Sequence, residues 1–341
     1  MSKLTWRFKG VSTAVLFALV LVVAACGVGQ QGPSQGGGGG PTKICMMPKL
    51  VGIPYFNAAE KGAKEAAGEL DIELVYDGPT EAKAALQSQM IEQWIQQQCS
   101  AITVAANDPN ALAPAMKKAG DAGIKTGAWD ADVAKDARDV FVNQATYEAI
   151  GYKMVDLMAE QTGGKGKFLV VTGSLTAPNQ VAWLKAMKER MKEKYPKMSI
   201  ASVQPGEEDL QKGIDITKNY LQANPDTAGV FGITSVALPG AAEAVKQIGR
   251  QGEVAVTGLS TPNEMKPYVN SGVVKKFALW NTVDLGYLAV YVANAQVEGN
   301  LPKSGTFKAG RLGEVKMLAP DEVLLGPPLV FSKENIDQYN F

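Results

Sequence analysis

From Lys43 onward the chain alternates two patterns, and the alternation restricts the folds open to it. Short, nearly continuous apolar runs such as KICMMP, SAITVAA and KFLVVTGS are followed by stretches whose apolar residues recur every three or four positions. The first pattern predicts strands buried on both faces, the second helices with one apolar stripe. Phe56, Ala59, Ala63, Ala66 and Leu70 form the first such stripe, and Leu86, Met90, Ile91 and Trp94 the second. Further helices are predicted over 112–119, 147–158, 180–191, 210–221, 238–248, 264–269 and 285–295. Irregular strand-like pieces and a short terminal helix capped by Ser332 are expected to close the chain. At 341 residues the chain exceeds one typical core. Two successive runs of strand–helix units therefore predict two doubly wound parallel sheets.

In such sheets ligands gather beyond the carboxyl ends of the strands. The residues there are Lys49, Asp77, Asn107, Asp130, Asn143, Asn179 with Gln180, the 235–241 and 260–263 segments, and Trp280 with Asn281. Most are polar or aromatic, and they contain no recognisable nucleophile–base pair. The chain has no histidine, which excludes a Ser-His-Asp triad and every His-ligated metal site. No Gly-rich phosphate loop follows a strand. Lys plus Arg number 34 and Asp plus Glu 34, a balance that argues against nucleic acid as a partner. Binding is expected rather than catalysis, with no cofactor and no metal.

The first 42 residues are expected to target the protein rather than fold with it. Lys3, Arg7 and Lys9 precede an apolar run over 11–25, the length of a signal peptide and short for a membrane span. The run ends in VAAC, which resembles a bacterial lipobox. Residues 1–25 are accordingly read as a lipoprotein signal peptide and Cys26 as the lipidated residue. Residues 26–42 then form a flexible Gly-rich tether. This places the rest of the chain outside the cytoplasmic membrane, held there by a lipid anchor. That compartment permits a disulfide. Cys45 and Cys99 each lie near the start of a predicted strand, and either a bridge or two buried thiols fits the sequence.

Several segments carry a family resemblance. They are PKLVG followed by YF, VYDGPTE, WDAD, VNQ, VALPGAA, STPNEMKPYV, LWN and the ending FSKENIDQYNF. In this order they resemble the autoinducer-2 and rhamnose-type periplasmic binding proteins, the substrate-binding subunits of ABC importers. The resemblance covers about 43–341. It implies a type I periplasmic binding protein fold: two doubly wound parallel-sheet lobes joined by a three-crossing hinge, with the ligand in the cleft between them. Lobe 1 would comprise 43–143 and 282–312, and lobe 2 would comprise 144–281 and 313–341. The implied partners are a small sugar or sugar-like ligand and a membrane permease with its ATPase. A monomer is expected, and a sensor receptor stays open as a second partner.

The resemblance also implies a ligand set. The family's lysine falls on Lys49, its aspartate on Asp130, and its Asp-Gln pair on Asn179 and Gln180. Its backbone-donating loop falls on Pro239 and Ala241. Tyr55 and Phe56 would wall the pocket, and Trp280 would stack on the ligand or pack at the hinge. Two positions depart from the autoinducer-2 pattern. Asn179 and Asn281 stand where that binder has aspartates. An amide donates as well as accepts, whereas a carboxylate only accepts. The departures therefore favour a small rhamnose-like monosaccharide over autoinducer-2.

Overall fold

The computed structural model of the protein describes residues 41–341 and, of residues 1–40, only Lys3 and Thr5. The expectations for the signal peptide and for Cys26 lie outside the described residues. Among the described residues no helix is long and apolar enough to cross a membrane.

Five strands and four helices open the fold: β1 (Lys43–Met47), α1 (Pro54–Leu70), β2 (Glu73–Tyr76), α2 (Ala84–Gln96), β3 (Ala101–Val104), α3 (Pro109–Asp121), β4 (Lys125–Trp129), β5 (Val140–Asn143) and α4 (Tyr147–Thr162). A second series follows: β6 (Lys165–Thr172), α5 (Pro178–Lys194), β7 (Lys197–Pro205), α6 (Leu210–Ala223), β8 (Thr227–Gly232), α7 (Ala237–Gln247), β9 (Ala255–Gly258), α8 (Pro262–Asn270), β10 (Lys276–Leu279) and α9 (Thr282–Glu298). Four short strands end the chain: β11 (Thr306–Lys308), β12 (Glu314–Ala319), β13 (Glu322–Leu324) and β14 (Leu329–Ser332).

The first sheet has the order β11-β12-β13-β5-β4-β3-β1-β2, and β1 to β5 are parallel. The second runs β7-β6-β8-β9, all parallel. A bridge from Leu259 to Ala278 carries it on to β10, which pairs antiparallel with β14. Both sheets are doubly wound. Their order reverses beside β1 in the first and beside β6 in the second, which puts a switch-point crevice at each of those strand exits.

The apolar runs are explained by burial on both sheet faces. Along β1, Ile44 and Met46 enter one core cluster with Ala59 and Ala63 of α1. Cys45 and Met47, which point the other way, join Ile91 and Trp94 of α2 and Leu112 and Met116 of α3 in the other. α1 and α9 pack together unusually closely. A methyl group at Gly62 would overlap the carbonyl of Val283, so only glycine fits there. Cys45 and Cys99 are joined by a disulfide that ties β1 to the turn before β3.

The two lobes are linked by three crossings, at the exits of β5, β10 and β13. The third corrects the expected boundary. β13 pairs with β5 and β12 pairs with β13, so 313–324 belong to the first lobe's sheet, and the chain returns to the second lobe only at β14. The expected terminal helix is also corrected. Only a single 3-10 turn forms, at Ile336–Gln338. Ser332 does not cap it: its backbone N–H donates to Asn335 Oδ1 in a local turn.

Candidate functional site

The exit of β1 is shaped by groups that hold its backbone. Gln87 of α2 donates to the carbonyls of Pro48 and Ala105 and accepts from the N–H of Asn107. Asn107 in turn donates to the carbonyl of Lys49. Trp129 Nε1 donates to the carbonyl of Met47. These bonds fix the backbone from which the Lys49 side chain projects. The residue after β4, Asp130, has φ of 61°. That left-handed conformation is costly for a non-glycine residue, though Asp tolerates it better than most. The N–H of Asp130 donates to the carbonyl of Val142 and holds the bend in place. Pro54 opens α1 with its fixed φ and sets Tyr55 and Phe56 on the first turn.

These side chains meet the second lobe in a cavity at the interlobe cleft. From the first lobe Lys49, Ile53, Tyr55, Phe56 and Asp130 line it. Asn179, Gln180 and Trp183 enter from the start of α5, Glu208 from the loop after β7, and Thr234 and Ser235 from the exit of β8. Trp280 closes it at the second crossing. The volume is about 40 Å³. That holds waters but is well below the roughly 150 Å³ of a cavity that admits benzene. A six-carbon sugar therefore enters only as the lobes part.

In this geometry the polar groups satisfy one another across the cleft. Lys49 Nζ donates to Asn179 Oδ1 at 2.9 Å and lies 4.0 Å from Asp130 Oδ2. Asn179 Nδ2 reaches the carbonyl of Asp130 at 3.4 Å. Trp280 Nε1 donates to the Tyr55 hydroxyl at 2.9 Å, and that hydroxyl donates to Asp130 Oδ1 at 2.6 Å. Aromatic rings continue the wall, Tyr55 edge to face with both Phe56 and Trp280, and Trp280 tilted against Trp183. Tyr55 and Phe56 are 5.0 Å apart, Tyr55 and Trp280 6.1 Å, and Trp280 and Trp183 5.9 Å. Such rings suit the C–H faces of a sugar, while the charged groups suit its hydroxyls.

The buried charges are under tension. Burial lowers the Lys49 ammonium from its ordinary value, and Asp130 and Glu208 pull it back up. Burial raises the Asp130 carboxyl, opposed by Lys49 and by the hydrogen bond from Tyr55. Burial also raises the Glu208 carboxyl, against the pull of Lys49. The Tyr55 hydroxyl is held far above its usual range, first by burial and then by the Asp130 charge.

Seven of the ten sequence-expected ligand residues line the cavity: Lys49, Tyr55, Phe56, Asp130, Asn179, Gln180 and Trp280. Three do not. Asn281 instead caps α9, accepting from the N–H groups of Val283 and Asp284. Pro239 lines a neighbouring surface cavity with Leu210 and Tyr268. Ala241 is fully buried inside α7. Gln180 is largely committed to the protein. Its Oε1 accepts from the Thr172 hydroxyl and from the N–H groups of Gly173 and Ser174, and its Nε2 donates to Glu208 Oε1.

Sequence reasoning missed Trp183 and Glu208. Trp183 lies three residues after Gln180 and so on the same helix face, a spacing that pointed to it. Glu208 lies just beyond β7, where the strand-exit rule applies, but GEED reads as a solvated acidic loop.

Two lobes that share a buried polar and aromatic cleft define a solute-binding protein of the type I fold. The chain belongs to the periplasmic binding protein family: the pattern described as "Periplasmic binding protein domain" matches residues 44–301. Members of this family work outside the cytoplasm as the sugar-binding components of ABC transporters. The chain is 30% identical over 243 residues to the D-ribose/D-allose-binding protein of Pseudomonas aeruginosa, covering 68% of this chain and 75% of that one. Among solved structures it resembles a solute-binding protein from Clostridium phytofermentas with bound L-rhamnose. The TM-score is 0.84 and the identity 30%, over 88% of this chain and 98% of that one. It also resembles LsrB from Clostridium saccharobutylicum in complex with AI-2. There the TM-score is 0.83 and the identity 27%, over 88% and 100% of the two chains.

Proposed function

We propose that this protein is an extracytoplasmic lipoprotein, anchored through Cys26, that captures a small neutral monosaccharide of the rhamnose type. It hands the sugar, as a monomer, to a membrane permease with its ATPase. One observation carries the reading of the ligand: Asn179 sits between Lys49 and the Asp130 carbonyl and uses both its oxygen and its nitrogen. An amide in that position can accept from one sugar hydroxyl and donate to the next, which a carboxylate cannot do. Lys49 then donates to ligand oxygens and Asp130 accepts from a hydroxyl. Tyr55, Phe56 and Trp280 cover the apolar face of the ring. The relative with bound L-rhamnose supports the same choice. The site is assigned no reaction and no cofactor.

Autoinducer-2 is the second reading. Lys49, Asp130 and Gln180 lie in the cavity as that binder's pattern requires, and LsrB is a structural relative. Native mass spectrometry of the freshly purified protein decides between them. A copurified mass matching a deoxyhexose or another monosaccharide is expected. A mass matching autoinducer-2, with no sugar present, would reverse the ranking.

A further inference from the structure

Among the described residues, two buried polar atoms in the cleft make no hydrogen bond. They are Glu208 Oε2 and Trp183 Nε1, one an acceptor and the other a donor. Both residues line the interlobe cavity from the second lobe. Each side chain is held in place by its surroundings. Gln180 Nε2 donates to the other Glu208 oxygen at 3.2 Å, and that oxygen packs so tightly against Gly173 that a methyl group there would overlap it. Trp183 is buried and fixed against Trp280. Buried polar groups are nearly always hydrogen-bonded, and leaving one unmet is costly. The cavity's first-lobe polar groups are already matched: Lys49 with Asn179 and Asp130, Tyr55 with Asp130 and Trp280.

We propose that Glu208 and Trp183 form the second lobe's specificity contact. Glu208 Oε2 accepts a hydrogen bond from one ligand hydroxyl, and Trp183 Nε1 donates to a ligand oxygen. The contact deepens the sugar-binding reading and rests on it. It also sets the charge class of the ligand. Among the described residues lining the cavity Lys49 is the one cation, and Asp130 and Glu208 are two carboxylates. With Lys49 balanced by Asp130, Glu208 leaves the site with surplus negative charge. Uncharged polyols can donate to Glu208, whereas a sugar bearing a carboxylate meets repulsion that low local dielectric strengthens. The site therefore selects neutral sugars and rejects sugar acids.

Calorimetry on the full mature protein, stripped of copurified ligand by refolding, tests this. The probes are L-rhamnose, D-ribose and D-allose as neutral sugars and D-glucuronate as the acid. Wild type is expected to bind at least one neutral sugar and to discriminate strongly against glucuronate. Glu208→Gln keeps the shape but removes the charge, and should weaken neutral-sugar binding tenfold or more. It should also narrow the gap to glucuronate by at least tenfold. Gly173→Ala leaves the charge in place but displaces the carboxylate, and should weaken the neutral sugar without admitting the acid. Trp183→Phe keeps the wall, removes the donor and should cost several-fold. If wild type binds a neutral sugar and Glu208→Gln binds it within twofold, the Glu208 assignment falls while the sugar reading stands. If wild type binds none of the neutral sugars, both fall. Circular dichroism of each variant confirms that a loss of binding is not a loss of fold.

Discussion

Asn179 Oδ1 accepts a hydrogen bond from Lys49 Nζ at 2.9 Å, so the start of α5 in one lobe is tied to the exit of β1 in the other. The same amide reaches the Asp130 carbonyl with its nitrogen. Asn179→Asp keeps the contact with Lys49 but removes this donor and adds a third carboxylate beside Asp130 and Glu208. A lost buried hydrogen bond costs about 1–3 kcal/mol, roughly ten- to hundredfold in affinity. Affinity for rhamnose-like sugars is expected to fall by that factor. Affinity for autoinducer-2, whose binder carries aspartate at this position, is expected to rise. Calorimetry against both ligands reads the two trends, and movement in the same direction for both would contradict the assigned role of the amide.

The unliganded site should destabilise the fold at neutral pH, and Glu208 gives a way to measure it. Burial raises its carboxyl above the ordinary value. The folded state then holds the proton more tightly than the unfolded state. Stability from this group is full below the unfolded pKa, about 4.3, and is lost as pH rises through the folded value. Glu208→Gln cannot ionise and escapes that loss. Thermal melts without ligand should show the variant gaining on wild type as pH goes from about 4 to about 7. Asp130 has a shift of the same sign, but it is present in both proteins and cancels. A difference in Tm that stays constant with pH would show that Glu208 does not titrate as described.

The parts of this fold that local sequence controls were legible. Strands buried on both faces and helices with one stripe announce themselves by period, and strand exits then point to the cleft. The third crossing was not legible, for a physical reason. β12 alternates exposed and buried residues, as a half-solvated antiparallel strand does, and nothing local says which sheet it joins. Its place is decided by β13 pairing with β5, a contact between residues far apart in the chain. Glu208 was hidden in a similar way. An acidic loop becomes part of a buried site only because Gln180 and Gly173 from another segment meet it. Asn281 carries two signals in the sequence, the family's ligand pattern and a cap pattern, Asn followed by Thr-Val-Asp, and the fold uses the second.

The disulfide should contribute substantially. Cys45 and Cys99 are 54 residues apart, and β1, which carries Cys45, is an interior strand between β3 and β2. Closing a loop of that length removes entropy from the unfolded chain worth about 2–4 kcal/mol. The double variant Cys45→Ala, Cys99→Ala is expected to lose that much in urea unfolding at unchanged ligand affinity, since neither cysteine lines the cavity. Reduction of the wild type should give a similar loss. Equal midpoints for reduced and oxidised protein would mean the bridge adds nothing.

The proposed lipid anchor can be tested separately from ligand binding. If Cys26 is the acylated residue, Cys26→Ser expressed with its leader should move from the detergent phase to the aqueous phase on partitioning. Its sugar affinity should not change, because the described fold and its cavity lie beyond the Gly-rich segment. Retention of the variant in the detergent phase would rule out Cys26 as the anchor.

Asn281 offers the sharpest contrast between what the family pattern implies and what the structure assigns. By the pattern it is a ligand contact; by geometry it is the N-cap of α9, with Oδ1 accepting from Val283 at 3.0 Å and Asp284 at 3.3 Å. The neighbouring Trp280 points into the cavity, and Asn281 is outside its lining. Loss of an Asn cap costs about 1 kcal/mol, within a range of about 0.5–2. α9 packs against α1, so that loss should appear as lower global stability rather than local fraying. Asn281→Ala is thus expected to lower the urea midpoint while sugar affinity stays within twofold of wild type. Asn281→Ser, which can also cap, should restore most of the stability. A tenfold loss of affinity in the Ala variant, with stability unchanged, would return Asn281 to the ligand set.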